Sequence, residues 1–307
     1  MRQSLFWEAD GEMLMQKAEN TFMAFDKSYH EAEIAYFGAP FDGTASFRKG
    51  TRGGPGAIRE DSYGLETYSP YQNLDLEEDT QVIDLGDLDF SGPEVHTVLK
   101  EIGDFARGIY ADGKIPLMAG GEHLVSLPVI AEAVKAYPNL HIIHLDAHMD
   151  LREDYLDDPL SHATVMRRAY DLVGPGRIHQ YGIRSGTREE FRFSREHCSF
   201  HPFSLTAMEG LAERLKGLPV YLSLDLDVLD PGIFPGTGTQ EPGGVSFKEL
   251  LEGLMSLQGL HLIGADVVEL APNLDPSGVS TSCACKVIRE LALLMSINLK
   301  EAAHGKK

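Results

Sequence analysis

The chain has 307 residues, and its 47 acidic residues against 27 Lys and Arg give a formal net charge of -20. This charge would repel phosphate backbones and anionic lipids, so neither nucleic acid nor a membrane is an expected partner. The hydrophobic fraction of 43% excludes disordered and fibrous classes, and the three cysteines are too few for a disulfide framework, so we expect a cytoplasmic globular protein.

Short apolar runs rich in β-branched residues alternate with longer amphipathic stretches, a pattern typical of βαβ units and a parallel sheet. The predicted strands, in chain order, are Glu33–Gly38, Gln81–Leu85, Ile115–Ala119, Leu140–Leu145, Arg177–Gly182, Val220–Asp225 and Leu260–Val267. The predicted helices are Pro55–Leu65, Pro93–Ala111, Leu124–Ala136, His162–Leu172, Ser246–Leu257 and Ser280–Leu299. The sequence therefore predicts an α/β protein.

The domain organisation is predicted to be simple. Residues 1–30 are too few to bury a core and are expected to be an N-terminal extension. Residues 31–307 contain no repeat, low-complexity tract or Pro/Ser-rich linker, so we expect them to form one domain.

Polar side chains of metal-ligand type follow three of the predicted strands. Open α/β sheets bind their ligands at this carboxyl edge. His123 stands at the tip of Gly120-Gly-Glu-His123. Alternate positions 146, 148 and 150 follow the next strand, and a period of two is expected to place these side chains on one face. The six candidate ligands are His123, Asp146, His148, Asp150, Asp225 and Asp227.

Four aspartates brought together without cations would repel one another and take up protons. Two divalent ions would balance the four carboxylates, and the imidazoles would add nitrogen ligands. Mixed carboxylate and imidazole ligation without thiolate favours two Mn(II) ions, with Zn(II), Co(II) or Fe(II) as alternatives. The competing interpretation is a set of strand-end aspartates that pair with arginines or helix N-termini, which is common for a single aspartate.

Three segments around these residues resemble the signature motifs of the ureohydrolases, the arginase and agmatinase family. They are Gly120–His123, Asp146–Asp150 and Ser223–Pro231, and the segments Gly38–Pro55 and Pro235–Gly244 also resemble agmatinases. The resemblance implies a three-layer α/β/α sandwich with a mostly parallel sheet of about eight strands. The eighth strand is expected between Glu196 and Phe203.

The resemblance also implies a role for each site residue in the hydrolysis of C–N bonds of linear amidines. Asp146 and Asp225 would bridge the two metals, His123 and Asp150 would complete one ion, and His148 and Asp227 the other. Asp150 would pass a proton to the departing amine. His162 matches the family's proton-shuttling histidine, although Ala163 replaces a glycine found in many relatives. Glu269 resembles the guanidinium-binding glutamate; the alternative is an ordinary solvated or salt-bridged glutamate.

The substrate predicted from overall similarity is agmatine, hydrolysed to putrescine and urea in polyamine biosynthesis. The loop between Leu151 and Ser161 carries four acids that could bind the free ammonium, although such a loop can also be merely solvated. They are Glu153, Asp154, Asp157 and Asp158. Arginine, 4-guanidinobutyrate, N1-aminopropylagmatine and formimidoylglutamate stay open as alternative substrates.

A different class of function also stays open. A metal-dependent binding or sensing protein could keep this fold without turnover, but it should lack a ligand or a catalytic residue, and this sequence lacks none of the expected ones. The family resemblance further implies a homo-oligomer, either a trimer or a hexamer.

Overall fold

An eight-stranded parallel sheet forms the centre of the computed structural model, which describes residues 20–304. The strands are β1 (Ile34–Ala39), β2 (Tyr68–Ser69), β3 (Leu74–Asp75), β4 (Val82–Asp87), β5 (Ile115–Gly120), β6 (His141–Leu145), β7 (Ile178–Tyr181), β8 (Ser199–His201), β9 (Pro219–Asp225) and β10 (His261–Val268). The order across the sheet is β4-β1-β5-β10-β9-β6-β7-β8, and β2 and β3 form a separate antiparallel hairpin. All seven predicted strands are present, and β8 is the eighth.

Helices cover both faces of the sheet. Their bounds are α1 (Gly54–Ser62), α2 (Leu76–Asp79), α3 (Val95–Ala111), α4 (Ser126–Ala136), α5 (Val165–Val173), α6 (Arg188–His197), α7 (Leu211–Arg214), α8 (Phe247–Met255) and α9 (Val279–His304). One apolar core joins the sheet to α1, α2, α7, α8 and α9. A second core joins it to α3, α4, α5 and α6. The predicted three-layer α/β/α sandwich is confirmed.

Burial on both faces explains why the strands read as continuous apolar runs. Every residue of β1 and of β5 is buried. Parallel strands covered by helices on both sides need apolar side chains in both directions, so they lack the alternation of a half-exposed strand.

The helix α6 was not predicted, and its composition explains why. Phe191 and Phe193 are its only apolar side chains, and they are too few to give a helical period. Its start is nevertheless marked in the sequence by a capping box, in which Thr187 and Glu190 each bond the other's backbone N–H.

The described part of the predicted N-terminal extension packs against the sheet. Phe22 and Phe25 are fully buried, and their rings lie 5.9 and 5.4 Å from that of Tyr36. Residues 1–19 lie outside the described part of the chain, so the boundary at residue 30 stays a prediction. No helix within residues 20–304 has both the length and the apolar character needed to cross a membrane.

Candidate metal centre

The predicted ligands follow three of the four central strands of the sheet. Those strands have the order β5-β10-β9-β6, and all run in the same direction, so their carboxyl ends meet at one edge. His123 follows β5, Asp225 ends β9, and Asp146 follows β6. Glu269 follows β10 and so enters the same site from between the ligand-bearing strands.

The local structure at positions 146–150 differs from the predicted one. β6 ends at Leu145, so a period of two along a strand does not bring Asp146, His148 and Asp150 together. A non-repetitive turn does so instead. Asp146 accepts a hydrogen bond from the backbone N–H of His148 at 2.6 Å, and Asp150 adopts a positive φ of 53°. Aspartate tolerates this left-handed conformation better than most residues.

One group of ligand atoms surrounds His123. Its Nδ1 lies 3.2 Å from Asp146 Oδ2, and carboxylate oxygens of Asp150 and Asp225 lie 3.1 and 3.4 Å away. A second group surrounds His148, whose Nδ1 lies 2.9 Å from Asp227 Oδ2 and 3.6 Å from Asp146 Oδ1. Asp146 thus offers one oxygen to each group. Two overlapping sets of ligand atoms lie close enough together to hold a metal ion, namely His123, His144, Asp146 and Asp150, and Asp146, His148 and Asp227; Asp225 is in neither set.

The buried carboxylates of the cluster favour bound positive charge. Burial raises the pKa of Asp225, and the carboxylates of Asp227 and Asp146 raise it further. Burial also opposes a charge on Asp146, but His144, His123 and His148 outweigh it and hold the pKa of Asp146 well below its usual range. His123 Nδ1 and Asp227 Oδ2 are buried without a hydrogen-bond partner among the described residues. Such atoms are rare in proteins unless something else binds them.

The hydrogen bonds of Ser223 with His123 Nε2 and Asp266 indicate where His123 carries its proton. Ser223 Oγ donates to Asp266 Oδ1 at 2.9 Å, so it can accept from His123 Nε2–H, also at 2.9 Å. In its neutral form His123 would direct the Nδ1 lone pair at three carboxylates. Burial opposes a charge on His123, but these carboxylates outweigh it and raise the pKa of His123 well above its usual range, so a positive charge is favoured at this point. The residues present fit a metal ion, as the predicted ligation requires.

A similar arrangement orients Asp146. Gln180 receives a hydrogen bond from Ser194 on its amide oxygen, so its NH₂ group donates to His144 Nδ1 at 3.1 Å. His144 then carries its proton on Nε2 and donates it to Asp146 Oδ2 at 2.7 Å. His144 is thus a buried histidine that supports a predicted ligand.

Asp266→Asn is expected to weaken Mn(II) binding by about 10- to 100-fold, the usual cost of losing a group that orients a metal ligand. An asparagine NH₂ can donate to Ser223 Oγ, and the Ser223 hydroxyl can then donate to His123 Nε2. This arrangement would favour the tautomer of His123 with its proton on Nδ1. Isothermal titration calorimetry with Mn(II) measures the effect. Asp84→Asn is the matched control. Asp84 is equally buried, but it lies on the edge strand β4, where it pairs with Arg59 of α1. Wild-type affinity in Asp266→Asn would refute the orienting role.

The ligand cluster opens into a cavity of about 250 Å³. Its walls include six of the predicted site residues, His123, His148, Asp150, His162, Asp225 and Glu269. Asp146 and Asp227, which do not line the cavity, are almost fully buried. The lining residues that sequence reasoning did not identify include Ser46, Arg152, Tyr155, Ser185, Glu190 and Thr239. Ser46 lies in a segment whose resemblance was noted, but nothing local marked it as part of the site.

Glu269 and His162 face this cavity from different segments. Glu269 accepts the backbone N–H of His123 on Oε1 at 2.7 Å and has a positive φ of 68°. Burial, followed by the charge of Glu122, raises the pKa of Glu269 to about 8, so a cationic partner would favour its ionised form. Burial lowers the pKa of His162. The predicted catalytic roles of these residues and of Asp150 stay predictions.

The four acids of the loop after β6 are exposed on its surface. Glu153 pairs with Arg167 at 2.8 Å, and Asp158 accepts the backbone N–H of Leu160. The loop lines the cavity with Arg152 and Tyr155 instead. Substrate contact by Glu153, Asp154, Asp157 or Asp158 stays a prediction.

Comparison with known proteins agrees with this geometry. Residues 32–294 match the arginase family. An agmatinase from Bacillus anthracis is 43% identical over 277 residues, which cover 89% of this chain and 95% of that protein. A guanidinobutyrase from Pseudomonas aeruginosa is 32% identical and covers 86% of each chain. The crystal structure of agmatine ureohydrolase from Thermoplasma volcanium superposes with a TM-score of 0.83 at 32% identity, covering 92% of this chain and 97% of that one.

The three-layer α/β/α sandwich carries a His and Asp cluster that could hold a metal ion at the carboxyl edge of its sheet. The chain belongs to the arginase family. The predicted relationship to ureohydrolases, which act on C–N bonds of linear amidines, is confirmed by this membership.

Proposed function

We propose that this protein hydrolyses agmatine to putrescine and urea with two Mn(II) ions. The observation that carries the proposal is the cavity in which the ligand cluster and the Glu269 carboxylate face the same space. A guanidinium bound by Glu269 would lie next to the cluster. The choice of agmatine is supported by the agmatinase from Bacillus anthracis, which is 43% identical.

The donor set supports Mn(II). Four carboxylates and two imidazoles without thiolate suit this ion. His123, Asp146, Asp150 and Asp225 would hold one ion, and His148, Asp227, Asp146 and Asp225 would hold the other. When bound, the two ions would supply the positive charge that allows water to lose a proton near neutral pH.

The chain's own residues would bind the substrate and move protons. Glu269 would accept paired hydrogen bonds from the guanidinium, a planar arrangement that a carboxylate matches well. Asp150 would pass a proton to the departing amine. His162, a neutral and partly buried imidazole at the cavity wall, would exchange protons between the site and solvent.

One residue of the cavity wall supports a second candidate substrate, 4-guanidinobutyrate. Arg152 is a cationic group in the wall, where it would attract a carboxylate and repel an ammonium. Its charge is partly balanced by Glu190, whose Oε2 lies 3.6 Å from Arg152 Nε, and its guanidinium stacks on Tyr155. This pairing would reduce the repulsion of agmatine, so agmatine remains the primary proposal.

A substrate panel tests the proposal. Urea release from manganese-loaded protein is measured with agmatine, arginine, 4-guanidinobutyrate and N1-aminopropylagmatine, and formamide release with formimidoylglutamate. Agmatine is expected to have the highest kcat/KM, and removal of metal by a chelator should abolish turnover until Mn(II) is restored. A higher kcat/KM for 4-guanidinobutyrate would indicate that the charge of Arg152 determines the substrate preference. Two bound metals without product from any compound would favour a binding or sensing protein.

We further propose that the protein acts in the cytoplasm in polyamine biosynthesis and forms a trimer or hexamer. Its three cysteines are free thiols, and thiols stay reduced in the cytoplasm. Native mass spectrometry would measure the oligomeric state directly.

A further inference from the structure

Thr44 holds His162 at two points. The backbone N–H of His162 donates to Thr44 Oγ1 at 3.2 Å. Its ring Nδ1 lies 3.1 Å from the backbone carbonyl oxygen of Thr44. Thr44 lies in the loop after β1, 118 positions away in the chain, so this contact joins two distant segments at the cavity wall.

Thr44 is itself fixed by a buried carboxylate. Its backbone N–H donates to Glu122 Oε2 at 2.9 Å, and its hydroxyl donates to Glu122 Oε1 at 2.6 Å. Because the hydroxyl proton is used in this bond, its lone pairs face the N–H of His162. The Thr44 side chain therefore links Glu122, which follows β5, to His162.

The carbonyl of Thr44 determines which ring nitrogen of His162 carries the proton. A carbonyl can only accept a hydrogen bond, so Nδ1 must be the protonated nitrogen of the neutral ring. The lone pair then lies on Nε2, which is 3.4 Å from Ser46 Oγ. Ser46 in turn lies 3.4 Å from the hydroxyl of Tyr155. Since Ser46 and Tyr155 both line the cavity, Nε2 is the nitrogen directed toward them.

We infer that Thr44 is a positioning residue that holds His162 in its Nδ1–H tautomer, so that Nε2 is the atom that exchanges protons during turnover. The inference rests on the proposed function in one respect, namely that His162 takes part in proton transfer. Thr44 acts through its hydroxyl, which bonds Glu122 and His162 at once, and through its carbonyl, which that hydroxyl keeps in place.

Two substitutions at one position separate positioning from packing. Thr44→Val keeps the shape of the side chain and removes the hydroxyl, whereas Thr44→Ser keeps the hydroxyl and removes a methyl group. Thr44→Val is expected to lower kcat for agmatine by about 10- to 100-fold, the cost of a small misplacement of a reacting group. KM and Mn(II) content should not change. Thr44→Ser should retain a kcat close to that of the wild type.

The tautomer can be read without measuring activity. Nitrogen NMR of ¹⁵N-histidine-labelled, zinc-loaded protein avoids the paramagnetic broadening of Mn(II), and His162→Asn identifies the signals of His162. The wild type should show protonated Nδ1 and unprotonated Nε2, and Thr44→Val should show a mixture of tautomers. Because the wild-type spectrum requires no variant at Thr44, it tests the inference even if Thr44→Val does not fold.

Three results would overturn the inference: a wild-type His162 protonated on Nε2, a Thr44→Val protein with wild-type kcat, or a Thr44→Ser protein as impaired as Thr44→Val. Failure of the proposed function would look different. Wild-type protein would then release no urea from agmatine, while the NMR spectrum would still report the tautomer.

Discussion

Asp225→Ala is expected to abolish metal binding and urea release together. Asp225 Oδ2 lies beside His123 Nδ1, and its Oδ1 accepts the backbone N–H of Asp227 at 2.8 Å. The substitution therefore removes one ligand and frees the turn that holds another. Metal ions contribute several kcal/mol to such reactions, so the loss of activity should reach about 1000-fold or more.

Metal content by inductively coupled plasma mass spectrometry and urea release by a colorimetric assay measure this pair of effects. Asp104→Ala is the matched control, because Asp104 is an aspartate of the α3 surface that pairs with Lys100. The control should bind metal and release urea normally. An Asp225→Ala protein that keeps two metals and full activity would refute the ligand assignment.

Glu269→Gln is expected to lower kcat/KM for agmatine by about 100-fold while leaving metal content unchanged, since breaking a charge-assisted pair at a binding site costs about 2–5 kcal/mol. The glutamine carbonyl can still accept the backbone N–H of His123. Its NH₂ group would then face the cavity, where it repels the N–H donors of a guanidinium instead of accepting them.

Steady-state kinetics with agmatine test the role of Glu269. Glu132→Gln provides the control, because Glu132 is a buried glutamate of α4 that pairs with Lys135 and Arg107 outside the cavity. Unchanged kcat/KM in Glu269→Gln would show that the carboxylate does not bind the guanidinium. A loss of metal would show instead that its bond to the backbone of His123 is its main contribution.

The strands could be predicted because each is a short apolar run buried on both faces. Their order could not be predicted, since it depends on pairings between distant segments. β10 lies next to β5 in the sheet, although the 140 residues from 121 to 260 separate these two strands in the chain. Helix α6 was missed because its two phenylalanines give no periodic signal, even though Thr187 and Glu190 marked its start.

The ligand types of the site were visible in the sequence, but their supporting residues were not. Asp266, Gln180 and Thr44 look like ordinary polar residues until the fold places them against His123, His144 and His162. The loop acids Glu153, Asp154, Asp157 and Asp158 are a case in which conspicuous charge does not coincide with the cavity lining. Their charge drew attention to the loop between Leu151 and Ser161, and the residues by which this loop lines the cavity are Arg152 and Tyr155.

The position of β10 has a consequence for how the chain folds. His123 belongs to the half of the sheet made of β4, β1 and β5, whereas the other five ligands belong to the half made of β9, β6, β7 and β8. β10 is the last strand to be synthesised, and it is the strand that closes the seam between these halves. Until β10 pairs with both β5 and β9, the ligands of the two halves would not be held together. A metal ion bound by residues of both halves would link them, so metal binding would stabilise the completed sheet.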